Sequence, residues 1–164
     1  MTCQAGLAAV LMCAAFVAQA QAQAPAAQNV QWQLQVVRDG RTIDTFDGST
    51  AIGQAVTATH HHETVHDVGC KNTPAAQIDL ARTLTISPMY ADASSVTLAI
   101  DAQETIEDDV SQRTIEGCAL PPQPRHVTAT HPGLEVPAGQ WASWTIVDAR
   151  PTLIYRVRAG VAPH

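Results

Sequence analysis

The residues best suited to chemistry lie in the run His60-His61-His62-Glu63-Thr64-Val65-His66. Imidazole is the commonest metal ligand among side chains, and a neighbouring carboxylate can act as base toward a metal-bound water. His62 to His66 fits the pattern H-E-x-x-H. On a helix, residues four apart share one face, and two rings close on one zinc ion at about 2.0–2.1 Å. On a strand the same stretch makes a different set. With a period of two, Val56, Ala58, His60, His62, Thr64, His66, Val68 and Cys70 share one face. His60 and His62 then stand roughly 6.6 Å apart along the chain. Both rings can reach one zinc or copper ion, with His66 or Asp67 nearby and no hydrolytic machinery required.

The helical form is the active-site pattern of zinc peptidases. In its longer version, H-E-x-x-H-x-x-G-x-x-H, Gly69 falls on the glycine and Asn72 replaces the third histidine. Residues 56 to 68 are dominated by threonine, valine and histidine, all indifferent helix formers. A strand is therefore expected, with Glu63 catalytic only if the peptidase form holds. His60, His62 and His66 are the candidate metal ligands. The competing reading is a polar strand facing solvent, with no cofactor, and the sequence favours it.

The elements around this stretch follow from the ends of the chain inward. Leu7 to Ala18 is an apolar run followed by Ala18-Gln19-Ala20 and Ala20-Gln21-Ala22. It is shorter than the roughly 20 apolar residues that span a bilayer. Residues 1–22 are expected to be an export signal, 23–29 a loose tail, and 30–164 one β-sandwich domain. No later stretch is apolar enough to span a membrane. Export leaves Cys70 and Cys118, for which the readings are one disulfide or a pair of thiolate ligands, the disulfide being expected. The formal charge is −6, with one lysine and eight scattered arginines. Without a basic block, nucleic acid is not an expected partner.

Val30 to Val36 alternates apolar and polar without a break, and Asp39-Gly40 suits a type I′ turn into Thr42–Phe46. Asp47-Gly48 suggests the next turn. Further alternation runs over Arg82–Ser87 up to Pro88, Ser95–Ile106, His126–Thr130, Gln140–Val147 and Leu153–Ala159. Glu104, Glu107, Asp108 and Asp109 suggest a solvated acidic corner. Helical periodicity is absent, and turn signals recur about every ten residues, which predicts an all-β, antiparallel, sandwich-like single domain. Trp141, Trp144 and Tyr155 could make a sugar-binding or partner-binding surface; alternation sends Trp144 and Ile146 inward and Trp141 outward, so Trp141 is the candidate for it.

Leu84-Thr85-Ile86-Ser87-Pro88, then Val96-Thr97-Leu98-Ala99-Ile100, then Val136-Pro137-Ala138-Gly139-Gln140 have a recognisable spacing. Over residues 81–147 the chain resembles the core β-hairpin region of bacterial secretins, the outer-membrane channels of secretion and pilus systems. No Gly-Gly-Leu follows the Gly-Gln turn, and the chain is far shorter than a secretin. The resemblance implies a periplasmic or secreted protein of the bacterial envelope that docks onto an assembly or adds strands to it. Together with the absence of a P-loop, a dinucleotide fingerprint or a G-x-S-x-G elbow, it leads to the expectation of a non-catalytic domain that binds an envelope protein.

Overall fold

The computed structural model describes residues 28–71, 73–107 and 112–162. The expected export signal over 1–22 lies outside the described residues, as do Asp108 and Asp109. Among those described, ten strands follow one another and no helix occurs: β1 (Asn29–Arg38), β2 (Arg41–Ala51), β3 (Val56–His60), β4 (Glu63–Val68), β5 (Thr73–Asp79), β6 (Arg82–Ala91), β7 (Ser95–Glu107), β8 (Pro124–Pro137), β9 (Trp141–Val147) and β10 (Leu153–Val161). They form one sheet in the order β2-β1-β10-β9, a second in the order β3-β6-β7-β8, and a ribbon of β4 and β5. Every pairing is antiparallel.

The alternation read from the sequence is what builds the core. Val30, Trp32, Leu34 and Val36 of β1 and Leu153, Tyr155, Val157 and Ala159 of β10 face inward from the first sheet. Leu84 and Ile86 of β6 and Val96, Leu98, Ile100 and Ala102 of β7 meet them from the second. Each large apolar side chain buried this way contributes about 1.5–3 kcal/mol. The domain is an all-β sandwich closed by one disulfide, Cys70–Cys118.

Several local expectations change. Asp39 and Gly40 both have positive φ, as a type I′ turn requires. Asp47-Gly48, however, lies inside β2. A Cβ on Gly48 would stand 2.7 Å from Cζ2 of Trp32, so this glycine gives the indole room. The Trp32 Nε1–H in turn donates to Thr50 Oγ1 at 3.0 Å. β6 does not stop at Pro88. It continues to Ala91 through a register shift between Pro88 and Tyr90.

The run from Val56 to Cys70 is not one strand with one face. β3 pairs with β6 only as far as His60↔Arg82, where β6 begins. The chain then changes partner and pairs with β5 as β4, starting at Glu63↔Asp79. Leu80 N–H donates to His62 O at 2.8 Å, carrying the ladder across the bend. β3–β4 and β5–β6 are thus two bent strands that leave the sandwich together as a ribbon. The ribbon's far end is tied down: Gly69 and Ala119 exchange backbone hydrogen bonds, and Cys70–Cys118 locks the same junction with Cα atoms 4.4 Å apart.

Replacing Cys70 and Cys118 by serine removes a cross-link over 48 residues, worth about 4 kcal/mol in the chain-entropy model. The expected result is a lower urea midpoint, with amide exchange accelerating first in β4 and β5. Uniform acceleration through β1, β7 and β10 would show that the disulfide holds the whole sandwich rather than the ribbon.

Candidate functional site

The bend separates the histidines that the sequence places together. His60 ends β3, where its ring stacks on Phe46 of β2 with centroids 4.0 Å apart. Its Nδ1 lies 3.0 Å from Asp44 Oδ1. His61 Nδ1 lies 2.8 Å from Asp79 Oδ2. His62 sits in the connection, and His66 Nε2 reaches Glu107 Oε1 at 2.8 Å from β4. Residues 62–66 are extended, so His62 and His66 share no helical face. Glu63 is on the ribbon's exposed face, where its Oε2 accepts from Gln77 Nε2 at 2.7 Å. Among the described residues, no three His, Cys, Asp or Glu side chains are grouped to hold a metal ion.

Beneath the histidines lies a polar network. Arg82 of β6 stands directly opposite Glu104 of β7. Its Nε donates to Glu104 Oε1 and Oε2 at 2.7 and 2.8 Å, and its Nη1 to Asp44 Oδ2 at 2.7 Å. Tyr155 of β10 donates its hydroxyl to Glu104 Oε1 from the facing sheet. Glu104 and Tyr155 are buried, and Arg82 and Asp44 are partly buried. Glu104 is therefore not part of a solvated corner. By alternation it points inward with Ala102 and Ile106, and its burial is made possible by the guanidinium and phenol that meet it.

The electrostatics follow from this packing. Burial alone would raise the Asp44 carboxyl, but hydrogen bonds from Arg82, His60 and the Thr45 amide outweigh it and hold Asp44 below the usual carboxylate range. Burial would likewise lower Arg82, yet its hydrogen bonds and attraction to Glu104 leave it above its ordinary value. Tyr155 is pushed far up, first by burial and then by the negative charge of Glu104, so the phenol stays protonated.

A cleft of about 560 Å³ opens above this network. His60, His61, His62 and Thr64 are among the residues at its polar rim, and Leu80, Ile106 and Leu153 give it apolar walls. Thr64 Oγ1 donates to Glu107 Oε1 at 2.9 Å, the same oxygen that His66 approaches. The carboxylate thus lies between hydroxyl and imidazole. A nucleophilic triad needs the imidazole in that central place, to take the hydroxyl proton. The arrangement braces the ribbon against β7.

The candidate binding tryptophan is elsewhere. Trp144 of β9 packs edge-on against Tyr155 and His131, with centroids 5.9 and 5.4 Å away. Trp141 stands on the outer face, with the guanidiniums of Arg156 and Arg158 at 5.2 and 5.1 Å from its ring. Comparisons with known protein families, curated proteins and solved structures find no match. The geometry of the chain itself carries the functional argument.

Sequence reasoning missed Asp44 and Arg82, and weighed Tyr155 as a surface aromatic rather than as a partner of Glu104. Their signal was present: alternation puts Arg82 with Leu84 and Ile86, and Tyr155 with Leu153 and Val157, on inward faces. An inward charge demands a partner, and the inward Glu104 is the complementary one.

Arg82→Met leaves Glu104 buried without its cation and is expected to cost about 3–5 kcal/mol. Tyr155→Phe removes one charged hydrogen bond and should cost about 1.5–3 kcal/mol. Combining both with Glu104→Leu should recover much of the loss, as read by urea unfolding, because the buried carboxylate leaves with its cation, while Asp44 keeps His60 and the Thr45 amide. Asp44 also sets a pH dependence. Its folded value is depressed, so its contribution is complete above about pH 4 and fades as the pH falls through the folded value. The stability difference between the wild type and Asp44→Asn should therefore shrink from pH 7 to pH 3.

Proposed function

We propose that this is an exported, non-catalytic domain that binds a protein partner by taking an extended segment onto the free edge of β9. The observation that carries this reading is the contrast among the four edges of the two sandwich sheets. β2 carries Arg41, Asp44 and Asp47, and its pairing with β1 shifts register at Val36/Val37. β3 is five residues long. β8 contains Pro124, Pro132 and Pro137, and its pairing with β7 shifts register at Leu98/Ile100. Charge, brevity, proline and bulges are the devices that keep edges from pairing with other chains.

β9 has few of these devices. Its sequence, Trp141-Ala142-Ser143-Trp144-Thr145-Ile146-Val147, holds no charged residue, proline or glycine. Its register shift falls near its end, between the pairs Leu153↔Val147 and Ile154↔Thr145, leaving Trp141–Thr145 regular. Among the described residues its only hydrogen-bonded strand partner is β10. Main-chain hydrogen bonds to such an edge give affinity, and the alternating side chains give selectivity.

The disulfide points to an oxidising environment outside the cytoplasm. The secretin resemblance over 81–147 ends on β9, and strand addition suits an accessory of an envelope or secretion assembly. On this reading the protein is periplasmic or secreted.

The test places a photo-crosslinking residue at Thr45, Thr57, Thr128 or Ser143, one on each edge strand, in the exported protein within its own cells. The expected result is a discrete adduct from Ser143 and none from the other three. Adducts from another edge without one from Ser143, or no adduct at any position, would contradict the proposal.

A further inference from the structure

The outer face of the first sheet is laid out in polar rows. Register aligns Ser49, Gln31 and Gly160 in one row, and Asp47, Gln33, Arg158 and Trp141 in the next. Thr45, Gln35, Arg156 and Ser143 form the third. Gln33 Oε1 accepts from Arg158 Nη2 at 3.1 Å, and Trp141 stacks with the same guanidinium, so Arg158 is held from both sides. A trough of about 660 Å³ runs across the first two rows, lined by Gln31, Gln33, Asp47, Ser49, Arg158 and Gly160. That volume lies within the range of small-ligand sites.

Gly160 is the informative residue. Glycine inside a strand weakens it, and is expected where a backbone turns, a neighbour crowds in, or a ligand approaches closely. Here the first two reasons are missing. Gly160 pairs regularly with Gln31, its φ is not in the positive region, and a Cβ built on it meets no atom within 4 Å. Gly48 makes the contrast, since the Trp32 ring would strike a Cβ there at 2.7 Å. The fold needs Gly48 bare. It does not need Gly160 bare, and the space left is the floor of the trough.

From this we infer that the outer face of the first sheet is a binding site for a neutral glycan chain, lying over Gly160 between Asp47 and Arg158. Sugar hydroxyls both donate and accept, and so do the amides of Gln31 and Gln33 and the hydroxyl of Ser49. Asp47 accepts from hydroxyl pairs and Arg158 donates to them. Within the trough the two charges flank Gln33 in one row and offset each other, with Arg156 one row outside it, which matches an uncharged, hydroxyl-rich ligand better than an acidic or basic one. Trp141 stands beyond Arg158 in the same row and backs its guanidinium. This site is distinct from the β9 edge, although Trp141 borders both.

The experiment is calorimetric titration of the disulfide-bonded exported protein with hexasaccharides of N-acetylglucosamine, glucose (β-1,4 and α-1,4) and mannose. A hexauronate and a polar heptapeptide serve as the charged and non-sugar arms. Saturable binding of at least one neutral hexasaccharide is expected. Gly160→Leu should weaken it at least tenfold by filling the trough, with an unchanged melting temperature. Asp47→Asn and Gln33→Ala should each weaken it several-fold, which keeps the test valid should Gly160→Leu misfold. The inference is overturned if no neutral hexasaccharide binds, if only the hexauronate or the peptide binds, or if binding is indifferent to these substitutions.

Discussion

The constraint on which this structure turns is the burial of one carboxylate. Glu104 is removed from water between two sheets, where an unpaired charge would be untenable. Arg82 meets it from the neighbouring strand and Tyr155 from the facing sheet. Such a network is weak evidence for net stability, because apolar residues of similar volume could hold the same space at least as well. Its effect here is on register. A slip of one residue in β7 would put Glu104 on the solvent face and Thr105 between Arg82 and Tyr155, undoing every contact in the network.

From that point the rest of the polar end of the sandwich is set. Arg82 reaches past Glu104 to Asp44, and Asp44 orients His60, whose ring then covers Phe46. Three residues further along β7, Glu107 receives Thr64 and His66, and the Cys70–Cys118 bond holds the ribbon in reach. His60, His61 and His66 thus each have a carboxylate partner of their own, in three different places. Side chains that look like one metal cluster in sequence act as separate fasteners, His60 between the sheets, His61 within the ribbon and His66 from the ribbon to β7. The surfaces left for recognition are the plain edge of β9 and the outer face of the first sheet.

How much of this was legible depends on what period two encodes. Alternation located β1, β7, β9 and β10 closely, and it separated Trp144 from Trp141. It missed β5, where Pro74 and Ala75-Ala76 interrupt the pattern, and it took Asp47-Gly48 for a turn because glycine signals clearance and turning alike. The partner change at His60 was invisible. It follows from where β6 begins, which is a property of another segment. Glu104 was misread because it was grouped with its sequence neighbours Glu107, Asp108 and Asp109 instead of with Ala102 and Ile106, the residues that share its face.

The most direct test of the buried network is the titration of Tyr155. The sequence has two tyrosines, so in a Tyr90→Phe background a ¹³Cζ label reports Tyr155 alone. The network predicts that its resonance stays fixed as the pH rises, and moves only when circular dichroism shows the sheets unfolding. A smooth transition in the folded protein, with a midpoint near the ordinary phenol value of about 10, would mean that Tyr155 is not held against the buried Glu104. The register argument built on that contact would then fail.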